Sequence, residues 1–272
     1  MRWLVSGTAA CLLAVLFLVQ PGSAAEPRLV GGVPADQPYP FAASLQSTQG
    51  EFFCGGSLID PSWVVTAAHC VVGQSASSFT VRVGSNDRTQ GGELVTPDRL
   101  VVNPDYNAAG AGGDIAVVHL PQPVKAAPVP LGTAAAVGTA VRLLGWGQTC
   151  ATPGCGDAPT MLQQLDTQIV DPTQCTAAFS GSVELCTGNP GGKAGACYGD
   201  SGGPEVAQVD GHWVLLGVTS RPGNDSSTCA TAPSIYTSAV AYAGWIHQQL
   251  APPPPSPPPA TSPAPTPPPP AH

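Results

Sequence analysis

Short apolar runs broken by Gly, Pro, Asn and Asp fill the middle of the chain: SWVVTAAHCVV (62–72), FTVRVG (79–84), IAVVHL (115–120), AVRLLGWG (140–147) and HWVLLGVTS (212–220). Runs of strand length, rich in Val and Leu and bounded by turn formers, predict an all-β sandwich or barrel. One late stretch departs from that rhythm. In SAVAYAGWIHQQL (238–250), Val240, Ala243, Trp245, Ile246 and Leu250 recur at helical spacing. That spacing predicts a C-terminal helix, with Ser238 as its cap. No internal repeat and no linker interrupts this body.

The two ends read differently. The first residues, MRWLVSGTAACLLAVLFLVQPGSAA, join a basic Arg2 to an apolar run from Ala9 to Val19, then Pro21-Gly22 and small residues. This predicts a signal peptide over 1–25; the rival reading, a retained anchor helix, suffers from the shortness of the run. From 251 the chain becomes PPPPSPPPATSPAPTPPPPAH after Ala251, which predicts an extended polyproline-type tail over 251–272. Such a tail suits a cell-wall spacer, a glycan carrier, a worn linker or an inert end. No later segment reads as transmembrane.

Composition narrows the class. A chain of 272 residues allows one large all-β unit or two smaller domains. Only 9 residues are basic, and the net charge is −8. The absence of a basic stripe excludes the electrostatic footprint of a nucleic-acid binder. Nine cysteines occur, and Cys11 would leave with the leader, so eight remain. An even count in an exported chain implies disulfides, although arithmetic leaves roughly 105 connectivities. No C-x2-C pair suggests zinc.

Chemistry concentrates in three places. In CYGDSGGP (197–204), glycines flank Ser201, so the backbone can turn sharply and expose the hydroxyl. A serine needs a base to become a nucleophile, and TAAHC (66–70) offers His69. The base needs an orienting carboxylate, and Asp114 stands before the apolar Ile115-Ala116-Val117-Val118. Each piece alone is weak: an isolated GDSG is usually a turn, and an isolated His or Asp usually structural. Their order and contexts together make the signal.

With LVGG (29–32), CGGSLI (54–59), TAAHC, DIAVV (114–118), GWG (145–147), GDSGGP (199–204) and PSIYT (233–237), the chain resembles the chymotrypsin/trypsin family of serine proteases from Leu29 to about Leu250. The resemblance implies an all-β fold of two packed six-stranded antiparallel β-barrels with a C-terminal helix, and an active site in the cleft between them. It implies Ser201 as nucleophile, His69 as base, Asp114 as its orienter, and N–H groups of Gly199 and Ser201 as the oxyanion hole. It also implies a zymogen: cleavage after Arg28 would free an amine on Leu29 to pair with Asp200. Residues 26–28 would then be a short propeptide and 29–250 the protease domain. The implied disulfides are Cys54–Cys70, Cys175–Cys186 and Cys197–Cys229. Cys150 and Cys155 have no usual partners in the pattern and are paired with each other.

The family places the base of the specificity pocket six residues before the nucleophile, at Gly195, followed by Ala196. No aspartate stands there to pair with a substrate Arg or Lys. Pocket walls are expected from Ser220, Pro222 and Ser234. The usual Trp-Gly after Ser220 is here Arg221-Pro222, and Pro222 has no N–H to offer a substrate strand. These changes favour small or medium apolar side chains before the scissile bond; alternatively, Arg221 faces the cleft and favours an acidic subsite. A shortened GSNDRTQGGELV (84–95) removes the expectation of calcium, so no metal or cofactor is expected. His119, His212 and His247 read as structural or exposed, and Asn224-Asp225-Ser226 matches a glycosylation acceptor.

The expected partners are protein or peptide substrates, an activating protease and proteinaceous inhibitors. The same reading has a monomer, secreted, without nucleic acid or stable membrane insertion, and held at a cell wall if the tail serves that end. Lysine occurs only at Lys125 and Lys193 while Ala, Gly and Pro abound, which suits a GC-rich bacterial source. Two other functions compete: a catalytically silent binding module, hinted at by Arg221-Pro222, and an esterase using the same triad.

Overall fold

The structure, a computed structural model, describes residues 29–251. The expected signal peptide (1–25), the expected propeptide (26–28) and residues 252–272 of the expected tail lie outside the described residues. Among the described residues fourteen strands form two antiparallel sheets of seven. The first sheet holds β2 (Ala42–Ser47), β3 (Phe52–Asp60), β4 (Trp63–Thr66), β5 (Phe79–Val83), β6 (Glu93–Val95), β7 (Arg99–Val102) and β8 (Ala116–His119). The second holds β1 (Val33–Pro34), β9 (Ala140–Gly145), β10 (Gln163–Gln168), β11 (Glu184–Thr187), β12 (Pro204–Val209), β13 (His212–Pro222) and β14 (Ser234–Ser238).

The two-barrel expectation holds, and the seventh strand in each sheet has a local cause. In the first sheet the order is β6-β5-β2-β3-β4-β8-β7. Its two ends, β6 and β7, are consecutive pieces of one bent stretch separated by Thr96-Pro97-Asp98, so the chain itself closes the sheet. In the second the order is β1-β10-β9-β12-β13-β14-β11. Past the end of β10, Ile169 bridges Thr187 of β11, and Val170 N–H donates to the Cys186 carbonyl at 2.8 Å. That contact closes six strands into a barrel and leaves the two-residue β1 outside it.

The pattern of each strand follows its place. In β5, Phe79, Val81 and Val83 are buried while Thr80 and Arg82 are half-exposed, the period of two expected where one face meets a core. In β4 all of Trp63–Thr66 is buried. Ala42, Leu45, Val64, Val81 and Val117 of the first barrel share a core with Leu144, Val206, Leu215 and Val218 of the second. Burial of apolar surface therefore fixes the barrels against each other as well as each within itself.

The helix α2 (Ala243–Leu250) begins later than the sequence suggests. Ser238 does not cap it: Ser238 ends β14, and its Oγ accepts from Ala241 N–H at 3.1 Å, holding the turn ahead of the helix. Ile246 is its fully buried contact with the first core. No helix among the described residues is long and apolar enough to cross a membrane. Four disulfides join Cys54 to Cys70, Cys150 to Cys155, Cys175 to Cys186 and Cys197 to Cys229. The last closes a separation of 32 residues and constrains the unfolded chain most; the Cys150–Cys155 loop, with a separation of 5, constrains it least.

Candidate active site

His69 sits in the single-turn helix α1 (Ala68–Val71), directly after the buried β4. Asp114 precedes β8, which pairs with β4, so strand pairing brings the two side chains together. His69 Nδ1 lies 2.8 Å from Asp114 Oδ2, and the His69 backbone N–H donates to Oδ1 at 2.9 Å. An Nδ1–H that donates to this carboxylate leaves Nε2 as an acceptor. Ser220 Oγ donates to Asp114 Oδ2 at 2.6 Å, and Thr237 Oγ1 donates to the Asp114 carbonyl at 2.9 Å. Burial pushes the Asp114 carboxyl up, but donation from His69 and Ser220 and the charge of the imidazole outweigh it, so Asp114 titrates below its ordinary value.

Ser201 belongs to the other barrel, in the turn leading into β12. Close backbone approach brings it to the first barrel. Gly55 N–H in β3 donates to the Ser201 carbonyl at 2.7 Å. A Cβ on Gly55 would lie 2.8 Å from Gly203 Cα. Gly202 has φ +79°, and a Cβ there would lie 2.2 Å from Thr66 Oγ1. The glycines on both sides of the cleft thus let two backbones meet where side chains would hold them apart. The N–H groups of Gly199 and Ser201 make no hydrogen bond among the described residues, while Asp200 N–H between them donates to the Cys197 carbonyl at 2.9 Å.

Asp200 is fully buried. Its Oδ1 accepts from Gly147 N–H and its Oδ2 from Cys197 N–H, both at 2.9 Å. Burial pushes its pKa up to about 7, opposed by these two donors, and no basic group pairs with it among the described residues. Leu29 is also buried, in the core of the second barrel with Val141, Leu143 and Leu165. Its φ is +58°, a left-handed conformation uncommon for an apolar residue. Val30 bridges Gly195, whose N–H donates to the Val30 carbonyl at 2.9 Å.

Ala196, Ser220, Pro222 and Ser234 line one cavity of 220 Å³ together with Ser201, Arg221 and the Cys197–Cys229 disulfide. Gly195 is not among its lining residues: it is buried beside Ser234, whose Oγ would lie 3.6 Å from a Cβ at 195. A second cavity of 190 Å³ adjoins His69 and Asp114, bounded by Tyr106, Asn107, Ala108 and Gly110, and shares Ser220 and Arg221 with the first. Three features escape a linear reading. Ser220 reads as a pocket wall, yet its hydroxyl also serves Asp114. Arg221 does not lie free in the cleft: it is held in an ion pair with the buried Glu184 at 2.7 Å. Glu205, one residue past the GDSGGP motif, is fully buried and pushed up to about 8 by that burial. The isolated acids in GSVELC and GPEVAQV are the signals that mark the latter two. The one grouping of metal-ligand types among the described residues, Cys54, His69 and Cys70, has its two sulfurs bonded to each other.

The family model described as Trypsin matches residues 29–246. A protein named trypsin from Saccharopolyspora erythraea is 34% identical over 237 residues, covering 82% of this chain and 98% of that relative.

Proposed function

Because the chain belongs to the trypsin family and is a chymotrypsin-like serine endopeptidase acting on proteins or peptides, we propose that Ser201, His69 and Asp114 carry its chemistry. The observation that carries this reading is the 2.8 Å bond from His69 Nδ1 to Asp114 at the rim of the cleft that Ser201 lines. Ser201 Oγ attacks the scissile carbonyl as His69 Nε2 takes its proton. His69 then returns the proton to the leaving amine, and water repeats the cycle on the acyl-enzyme. Asp114 holds the imidazole tautomer and offsets the imidazolium charge. The N–H groups of Gly199 and Ser201, with no other hydrogen-bond partner among the described residues, donate to the oxyanion.

We further propose that the chain is exported through residues 1–25 and activated by another protease after Arg28. Four disulfides accord with an oxidising, extracellular setting. The buried Asp200 carboxylate lacks a cationic partner among the described residues, and a free ammonium on Leu29 supplies one. A free terminus also relieves the left-handed φ of Leu29, since no preceding peptide then clashes with its side chain. Pairing removes the penalty of a buried lone charge and fixes the loop that carries Gly199. The 220 Å³ cavity has no acid among its lining residues, which supports small or medium apolar side chains before the scissile bond over Arg or Lys. The test is labelling with a fluorophosphonate and mapping by mass spectrometry. Protein cut after Arg28 should be labelled at Ser201 alone, and the uncut chain and His69→Ala should resist. Equal labelling of the uncut chain would remove the activation step; labelling elsewhere would remove the assigned nucleophile.

A further inference from the structure

Glu184 opens β11 with a completely buried side chain. Its Oε1 accepts from Arg221 Nη1 at 2.7 Å and from Gly112 N–H at 2.8 Å. Its Oε2 accepts from Arg221 Nη2 at 3.1 Å and from Ser180 N–H at 2.8 Å. The guanidinium is therefore gripped in two-pronged fashion, the strongest geometry available to an Arg–carboxylate pair. Arg221 also donates to Ser220 Oγ at 3.2 Å and to the Ala178 carbonyl. Its side chain remains 24% exposed and lines both cavities of the cleft.

Apart from His69 and Asp114, Arg221 is the one charged residue lining these two cavities among the described residues. Its electrostatic state thus sets the field that a substrate meets beside the reacting bond. A substrate carboxylate would have to compete with a buried carboxylate already in bidentate contact, and it would lose hydration in doing so.

We propose that Glu184 is a specificity-determining residue that masks the charge of Arg221, so that the groove beside His69 gives an acidic substrate side chain no advantage over an uncharged one. The inference rests on the proteolytic reading above and deepens it. Glu184 touches no reacting atom. It acts by holding Arg221 and, through Gly112 N–H, the segment that carries Asp114.

The experiment compares kcat/KM for matched peptides carrying Glu, Gln or Lys at each position within about three residues of the scissile bond, all cut at the same site. Because Arg221 also touches Ser220, absolute rates can move for other reasons, so the ratios are read. In the native cut enzyme the Glu-to-Gln ratio should stay within about twofold of one, and raising NaCl from about 0.02 M to about 0.5 M should leave it unchanged. In Glu184→Gln the ratio should rise about three- to fivefold at one position and fall back in salt, the size of a partly exposed ion pair. In Arg221→Gln, which leaves Glu184 unpaired, the shift should reverse and favour Lys at that same position. A native enzyme that already prefers Glu strongly in low salt would overturn the mask without any variant. Ratios unmoved in both variants, with cleavage retained, would overturn this inference alone. Failure of the native cut enzyme to cleave any peptide would overturn the proteolytic reading and the mask with it.

Discussion

Replacing Glu205 by glutamine should flatten the dependence of stability on pH. Glu205 lies in β12 with its side chain fully buried. Its Oε1 accepts from the Thr187 hydroxyl at 2.8 Å, and its Oε2 has no partner among the described residues. Burial pushes its pKa from 4.5 up to about 8, against the opposing effect of Thr187. The folded protein therefore holds a proton that the unfolded chain releases between those two values. Within that window stability falls as pH rises, by about 1.4 kcal/mol per pH unit at the steepest. From about pH 5 to about pH 8 the loss sums to roughly 3 kcal/mol. The substituted glutamine would keep an oxygen for Thr187 but cannot titrate. Its buried amide N–H groups carry their own penalty, roughly 1–3 kcal/mol, so the offset at one pH decides nothing and the slope decides. Asp200 titrates in both proteins and cancels in the difference. The assay is guanidinium unfolding with disulfides intact, in a Ser201→Ala background that prevents self-digestion. The stability difference between Glu205→Gln and its parent should swing by roughly 3 kcal/mol in favour of the variant as pH rises across the window. Parallel profiles would mean that Glu205 is not held protonated in the fold.

Four further outcomes follow from the same geometry. Asp200→Asn should lower kcat/KM of the cut enzyme by about 100-fold or more, by releasing the loop that carries the Gly199 donor; measured turnover near the native value would contradict the terminal-amine mechanism. Ser220→Ala removes one donor from a carboxylate held below its ordinary value, so Asp114 should titrate higher. The acid limb of the pH–rate profile should then move upward with a fall in kcat of about tenfold. Gly195→Asp meets no atom closer than 3.6 Å at its Cβ and places a carboxylate beside Ser234. It should weaken cleavage after Leu or Ala and introduce cleavage after Arg or Lys; improved cleavage after Leu would show the pocket to lie elsewhere. Deleting residues 252–272 should leave turnover of short peptides unchanged, measured beside the full chain.

The two-barrel fold is legible in the sequence because its strands bury alternate or whole faces, and apolar runs such as TVRV and IAVV carry that burial directly. Closure is harder to read. The contact of Ile169 with Thr187 and the bend between Glu93–Val95 and Arg99–Val102 are tertiary facts with no periodic signal. The helix start is misread for a related reason: Val240 continues the helical apolar spacing upstream, but Ser238 is still paired in β14 with Gly217. In the site, motif residues are readable because chemistry restricts them to few types. Glu184 is not, and Arg221 shows only as a departure from the family pattern, since an ion pair across 37 positions leaves an isolated acid and an isolated base in two separate strands. Ser220 is readable as a wall because its backbone position suggests one; its hydroxyl's bond to Asp114 emerges only when the barrels meet.

A Ser201–His69–Asp114 endopeptidase assembled by cleavage after Arg28 is the function proposed above. It is tested most directly by turnover of a mixed peptide library with protein cut after Arg28, beside the uncut chain and Ser201→Ala. Cleavage after small or medium apolar residues should come from the cut native protein alone. Cleavage by the uncut chain at the same rate, or by Ser201→Ala, would contradict it.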